Sequence, residues 1–316
     1  MAEARRVLVA LGGNAMTSSD GNARPEDQRA AVEVAMEPVA VLLERGIEVV
    51  LTHGNGPQVG NLLVKNELAA DVVPPVGLDW CGAQTQGSIG YIMVSALEAA
   101  LWRRGLDGHA TAMVTRVRVD PDDPAFGAPD KPVGRYVSEA EASKLREHGQ
   151  HFVDFGAKGW RRVVPSPRPR EVLDAESVRI LLAAGVTPVA AGGGGIPVTV
   201  GPDARVNGVQ AVLDKDRTAA LLARTVKADT LVIATDVPAA VVNFGTPDAR
   251  ELHEVTTTEL RRHVDDGQFA AGSMGPKVEA ALDFVEGGGT RAVITALERL
   301  PEGIAGQAGT VLTREP

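Results

Sequence analysis

Val7-Leu8-Val9-Ala10-Leu11-Gly12-Gly13-Asn14 is an apolar run of strand length that stops on two glycines and an amide. Five consecutive apolar residues bounded by such breakers read as a strand buried on both faces, the mark of a parallel sheet. Behind it, Val32, Met36, Val39, Leu42 and Leu43 recur at helical spacing, and Gly46 ends that helix. Ile47 to Leu51 is the next apolar run, ending at His53-Gly54-Asn55-Gly56, after which Pro57 suits a first helical turn. Strand, helix and strand, with polar glycine-rich loops at the carboxyl ends of both strands, is the unit of an open α/β sheet. Such sheets bind ligands at that edge.

The alternation continues along the chain. Leu78 to Leu97 is a weakly charged helical stretch, suited to a core or a subunit interface. Ala112 to Val117 reads as a strand. Asp120 to Gly134 is broken by Pro and Gly and reads as an excursion from the sheet, a loop or small subdomain, with re-entry at Val163-Val164-Pro165-Ser166-Pro167. Ile180 to Pro202 is uncharged, yet its six Gly and three Pro would break a membrane helix; a helix end, a buried strand and a loop fit it better. Val186 to Ala191 leads to Gly192-Gly193-Gly194-Gly195. Asp214-Lys215-Asp216 opens a helix to about Val226, and Thr230 to Ala234 leads to Thr235-Asp236. Gly272-Ser273-Met274-Gly275-Pro276-Lys277 opens a helix to Glu286, followed by strands at Arg291 to Thr295 and Thr310 to Leu312. No internal repeat, low-complexity tract or long linker separates the halves, so two lobes would share one continuous sheet.

Composition narrows the partners. The 316 residues are 44% hydrophobic and 23% charged, as in an ordinary globular chain. Lys plus Arg number 32 against 41 Asp plus Glu, so no domain-wide basic footprint for nucleic acid exists. Aromatic residues are only 3%, too sparse for base-stacking platforms. The single cysteine, Cys81, forms no internal disulfide and suits a reducing cytoplasm. Arg5-Arg6 precedes too short an apolar run for a signal peptide. Small-molecule substrates, with neither nucleic acid nor membrane, are the expected partners.

Four glycine-rich loops are expected to follow strands: at Gly12-Gly13, Gly54 to Gly56, Gly192 to Gly195 and Gly272 to Gly275. Glycines admit an anion close to the backbone, and the next helix offers free N–H groups. Together they suggest a site for phosphate-like oxyanions, although any one loop alone is read as a turn. The P-loop, the dinucleotide fingerprint, the protein-kinase catalytic loop, the esterase elbow and His-Glu-x-x-His are all absent. No side-chain metal site is expected. Lys131, Lys215 and Lys277 are each open to a bland reading as solvated surface lysines. Lys215 and Lys277 nevertheless stand at helix amino ends, where the dipole disfavours cations unless an anion binds. Asp216 either holds a lysine by a charge-assisted hydrogen bond or is simply a first-turn acid.

The sequence resembles the carbamate kinases, a branch of the amino acid kinase family. The matching segments are Leu11 to Ala15, His53 to Gly60, Thr85 to Tyr91, Lys131-Pro132-Val133-Gly134, Gly159 to Pro167, Gly192 to Val198, Leu213 to Asp216 and Gly272 to Lys277. They lie in family order along nearly the whole chain. The resemblance implies a three-layer αβα sandwich, an α/β fold with a mainly parallel open central sheet. It implies one domain over 1–316, with an acceptor lobe about 1–200, a protruding lid about 119–165 and a nucleotide lobe about 201–316.

It also implies reversible phosphoryl transfer between ATP and carbamate, with Mg²⁺ and ATP or ADP as cofactors, in a homodimer; the negative charge and lack of a targeting segment suit the cytoplasm. Lys131, Lys215, Asp216 and Lys277 would be the catalytic residues. Gly12, Gly13, Asn14, Gly54, Asn55, Gly192, Gly193 and Gly194 would bind the acceptor and transferring phosphate. Thr235, Asp236, Val237, Phe244 and Met274, with Lys215 and Lys277, would border the nucleotide. Three positions depart from the family pattern: Thr246 stands where Lys is common, Pro238 where an acid is often found, and Lys158 where Arg is common. A kinase for another small carboxylate or phosphonate, or a non-catalytic nucleotide binder, are the alternatives.

Overall fold

The computed structural model describes residues 4–13, 24–147, 149–270 and 272–315. Its central sheet has eight strands: β1 (Arg6–Leu11), β2 (Glu48–His53), β3 (His109–Ala112), β9 (Val186–Val189), β12 (Thr230–Thr235), β15 (Glu254–Thr256), β16 (Arg291–Ala296) and β17 (Thr310–Thr313). Their order is β15-β17-β16-β12-β1-β2-β9-β3. From β16 to β3 all neighbours run parallel, while β17 is antiparallel to β16.

The alternation of β1 builds two layers at once, because successive side chains point to opposite faces. Leu8 and Ala10 join a core with α5 (Ala175–Ala183), α6 (Lys215–Thr225), α7 (Thr257–Asp265) and α8 (Met274–Glu286). Val7, Val9 and Leu11 join another with α1 (Pro25–Glu44), α3 (Leu78–Arg103) and α9 (Leu300–Ile304). All five side chains are fully buried, and the three-layer α/β sandwich follows from them.

A second sheet, in the order β11-β10-β4-β8, comprises β4 (Arg116–Val119), β8 (Pro169–Val172), β10 (Ile196–Val200) and β11 (Val206–Gly208). Between β4 and β8, which pair antiparallel, the chain makes its excursion. There β5 (Lys131–Val137), β6 (His151–Asp154) and β7 (Trp160–Val164) form a three-stranded sheet in the order β5-β7-β6, beside α4 (Glu139–Glu147). It has a small core of its own, Val137, Ala142 and Phe152 with Leu145 and Trp160. Its other apolar contact is with the body: Val133 and Val164 pack with Val59 and Leu63 of α2 (Gly56–Ala69) and with Leu78 and Cys81 of α3. A two-stranded ribbon, β13 (Val241–Val242) with β14 (Arg250–Glu251), completes the chain.

Two expectations need correction. Ala112 to Val117 is not one strand: β3 stays in the central sheet, the chain crosses at Met113 to Thr115, and β4 begins the second sheet. The Gly272 loop follows helix α7 rather than a strand. Of the loop or small subdomain expected at the excursion, the chain forms the subdomain, and Lys131 to Gly134 begins its strand β5. Asn14 lies outside the described residues.

Candidate active site

Adjacent strands β12, β1, β2 and β9 end together, with Leu11 beside Ala234 on one side and His53 on the other. The loops after them are laced sideways: Gly12 N donates to Ala234 O at 3.0 Å, Gly54 N to Leu11 O at 3.1 Å and Ala190 N to Leu51 O at 2.9 Å. Close approach is what requires glycine here. A Cβ on Gly54 would lie 3.2 Å from the Gly13 backbone. On Gly192 it would run into the His53 ring, and on Gly193, at φ +67°, into the Asn55 amide. Gly12, Gly13, Gly54, Asn55 and Gly192 to Gly194 are therefore one surface.

Residues to which the sequence reading had given no role hold this surface in place. Gln86 of α3, buried, accepts from Thr115 N at 2.7 Å and donates to Thr115 O at 3.3 Å and Gly192 O at 3.0 Å. The Thr115 hydroxyl accepts from Ala191 N at 3.0 Å, and Thr218 of α6 donates to Gly194 O at 2.9 Å. Asn55 donates to the Thr85 hydroxyl at 2.9 Å, which fixes its side chain. Gln86 and Thr85 lie on a helix that reads simply as buried and uncharged, so only their partners reveal the role. His53 is fully enclosed; burial pushes its imidazole down to about 4, Lys215 adds to this, and its bond to Gly54 O opposes it. It is a neutral imidazole beneath the glycine loops at neutral pH.

The lysines converge as expected. Asp214 caps α6, its side chain accepting from Asp216 N at 3.0 Å and Arg217 N at 3.2 Å. This places Lys215 and Asp216 in the first turn, where acids are favoured and cations are not. Lys215 Nζ lies 2.9 Å from Asp216 Oδ1 and donates to Leu11 O at 3.0 Å. Lys277, in the first turn of α8, donates to Asp216 Oδ2 at 3.3 Å. Asp216 is 4% exposed. Burial by itself would raise its carboxyl, but the two ammonium groups outweigh that and hold it below the ordinary carboxylate range. Lys131, at the start of β5, donates to Asp214 Oδ2 at 3.1 Å. Three ammonium groups thus face two carboxylates, leaving positive charge in surplus at the ends of two helices.

The nucleotide candidates lie at the ends of β12 and β13 and at the start of α8. Thr235 ends β12 and its hydroxyl donates to Asp236 Oδ1 at 3.0 Å, with Val237 following. Met274 opens α8, one turn before Lys277. Phe244 is 80% exposed on the turn after β13, where Asn243 has φ +55° and the Thr246 hydroxyl bonds Asn243 O at 2.8 Å. Lys158 is exposed on the turn between β6 and β7.

A parallel-sheet edge lined by close-packed glycine backbone, with two lysines clamped to one buried carboxylate beside it, defines a phosphotransferase. The chain belongs to the amino acid kinase family, whose sequence model matches residues 5–296. Among its relatives, a carbamate kinase of Thermococcus kodakarensis is 44% identical over 315 residues, covering 98% of this chain and 100% of that one. A carbamate kinase of Enterococcus faecalis is 43% identical over 311 residues, covering 98% of each. The solved structure of a Giardia lamblia carbamate kinase bound to AMP-PNP superposes with a TM-score of 0.94 at 40% identity, covering 100% of both chains.

Proposed function

We infer that this chain is a carbamate kinase: carbamoyl phosphate and ADP are converted reversibly to carbamate and ATP. The Lys215–Asp216–Lys277 cluster beside the glycine loops carries this reading. The full-length similarity to carbamate kinases names the acceptor.

The chemistry asks for placement and charge, not for a covalent intermediate. Carbamate is already an anion, so its attacking oxygen needs no general base. In the catabolic direction the ADP β-phosphate oxygen attacks the phosphorus and the bond to carbamate breaks, with no net proton to place. The backbone of Gly12, Gly13 and Gly192 to Gly194, with Asn14 and Asn55, would give neutral donors to the acceptor and the phosphoryl oxygens. Lys215 would neutralise the transferring group and Lys277 the nucleotide phosphates, both oriented by Asp216. Thr235, Asp236, Val237, Phe244 and Met274 would border the nucleotide. Both Asp216 oxygens already face lysines, so Mg²⁺ would arrive as the nucleotide complex, held by phosphate oxygens.

The three-stranded sheet with α4 would act as the lid, keeping water from labile carbamoyl phosphate. Residues about 1–200 would carry the acceptor and about 201–316 the nucleotide. The protein is proposed to work in the cytoplasm; among the described residues no helix is long and apolar enough to cross a membrane. It is also proposed to be a homodimer. The open face of α3 presents Ser88, Tyr91, Ser95, Ala99 and Trp102 at helical spacing without a charge, and Tyr91 and Trp102 are 57% and 80% exposed.

Hexokinase-coupled ATP formation from carbamoyl phosphate and MgADP tests the activity, with uncatalysed breakdown subtracted. Saturable turnover supports the reading. Folded protein that binds ADP and turns nothing over overturns it.

A further inference from the structure

Asp214 holds two parts of the molecule with one carboxylate. Oδ1 caps α6, taking Asp216 N at 3.0 Å and Arg217 N at 3.2 Å. Oδ2 takes the Lys131 ammonium at 3.1 Å, across 83 residues and from the three-stranded sheet. Asp214 is bound at both ends of its role: it precedes Lys215, and a Cβ on Gly194 would stand 2.8 Å from the neighbouring Leu213 O. The carboxylate is therefore fixed beside the glycine loops, its side chain only 15% exposed, while that of Lys131 is 41% exposed.

We propose that Asp214 is a positioning residue for phosphoryl transfer: its second oxygen docks Lys131 beside the anion pocket before substrate enters, and yields the ammonium to the transferring phosphoryl group. The proposal deepens the kinase reading above and rests on it. Three features support it. A lysine loses much rotamer freedom when it reaches a phosphate, and earlier docking removes most of that loss from the binding step. Two backbone amides anchor the Asp214 carboxylate, so it cannot follow the lysine away. An ion pair this exposed is weak, so a more highly charged phosphoryl group can displace it. Asp216 is already shared between Lys215 and Lys277, whereas Asp214 Oδ2 faces Lys131.

The variants that separate docking from capping are Asp214→Ser and Asp214→Asn. Serine and asparagine cap helices about as well as aspartate but carry no charge. The expected result is a fall of about 10-fold or more in kcat/KM for carbamoyl phosphate in both, with KM for ADP changed less than about 2-fold. In a Lys131→Ala background, Asp214→Ser should cost less than about 2-fold further, since the interaction is already gone. Wild-type kinetics in Asp214→Ser, or the same loss with and without Lys131, would overturn the proposal.

A second readout does not depend on turnover. Backbone amides of 131–137 should exchange hydrogen faster in Asp214→Ser than in wild type, with α6 amides unchanged. Equal exchange overturns the docking. Wild-type protein that shows this difference but turns over no carbamoyl phosphate leaves the docking standing and removes the kinase reading.

Discussion

The Lys215 ammonium donates to the carbonyl oxygen of Leu11 at 3.0 Å, across 204 positions of sequence. Leu11 is the last residue of β1, so this bond fixes the cation at the point where the strand gives way to Gly12-Gly13. The same ammonium lies 2.9 Å from Asp216 Oδ1. One lysine thus ties the first strand, the helix that carries it and the buried carboxylate into a single charged corner.

Replacing Lys215 by Ala removes a preorganised charge from that corner. Carbamoyl phosphate turnover is expected to fall by about 10³-fold, as for loss of a charge that stabilises a phosphoryl-transfer transition state. Hexokinase-coupled kinetics check it; a loss below tenfold would mean that Lys215 is structural.

Asp216→Asn leaves Lys215 and Lys277 without their shared counter-charge in a site where their side chains are only 12% and 19% exposed. Breaking such a buried cluster from one side should destabilise the fold by about 3 kcal/mol. Urea denaturation measures it, and added inorganic phosphate should recover part of the loss by binding the exposed cations.

Gly193→Ala forces φ +67° on a residue with a Cβ and drives that Cβ into the Asn55 amide. About 1–3 kcal/mol of stability should go from backbone strain, and KM for carbamoyl phosphate should rise as Asn55 is pushed from Thr85. Gly87→Ala is the control, since a Cβ there meets nothing within 4 Å and the position is helical. Equal effects in the two variants would refute the close-approach argument.

His53 gives the fold a pH dependence on its acid side. Its ordinary value is 6.5 and the fold lowers it to about 4, so between these values the unfolded chain binds the extra proton. The stability it contributes is complete above pH 6.5 and is lost as pH falls towards pH 4, by about 3 kcal/mol in total. Denaturation midpoints across this window should fall more steeply in wild type than in His53→Gln. Parallel slopes would show that other groups set the acid limit.

Much of the fold was legible because burial on both faces leaves an unmistakable trace. Val7 to Leu11 carries no polar residue, and both cores of the sandwich close on it. The breaks were harder to read. Met113 to Thr115 looks like strand interior, yet the chain changes sheets there so that Thr115 can serve Ala191 and Gln86. Lys131 to Gly134 contains Pro and Gly and still forms strand, because Lys131 and Pro132 pair with Val164 and Val163 across the small sheet.

The sequence by itself determined which residues bear charge and which loops are glycine: Lys131, Lys215, Asp216 and Lys277, with Gly12, Gly54 and Gly192 to Gly194. Residue type and local spacing suffice for that, since capping, strand length and helix starts are decided within a few neighbours. Tertiary structure alone decided who meets whom. Parallel strands joined by crossovers bring residues from four distant loops to one edge, and pairing depends on sheet order, which no local pattern encodes. The neutral His53, the brace of Gln86 and the second oxygen of Asp214 all belong to that order. Each is an ordinary side chain until the sheet sets its partner opposite it.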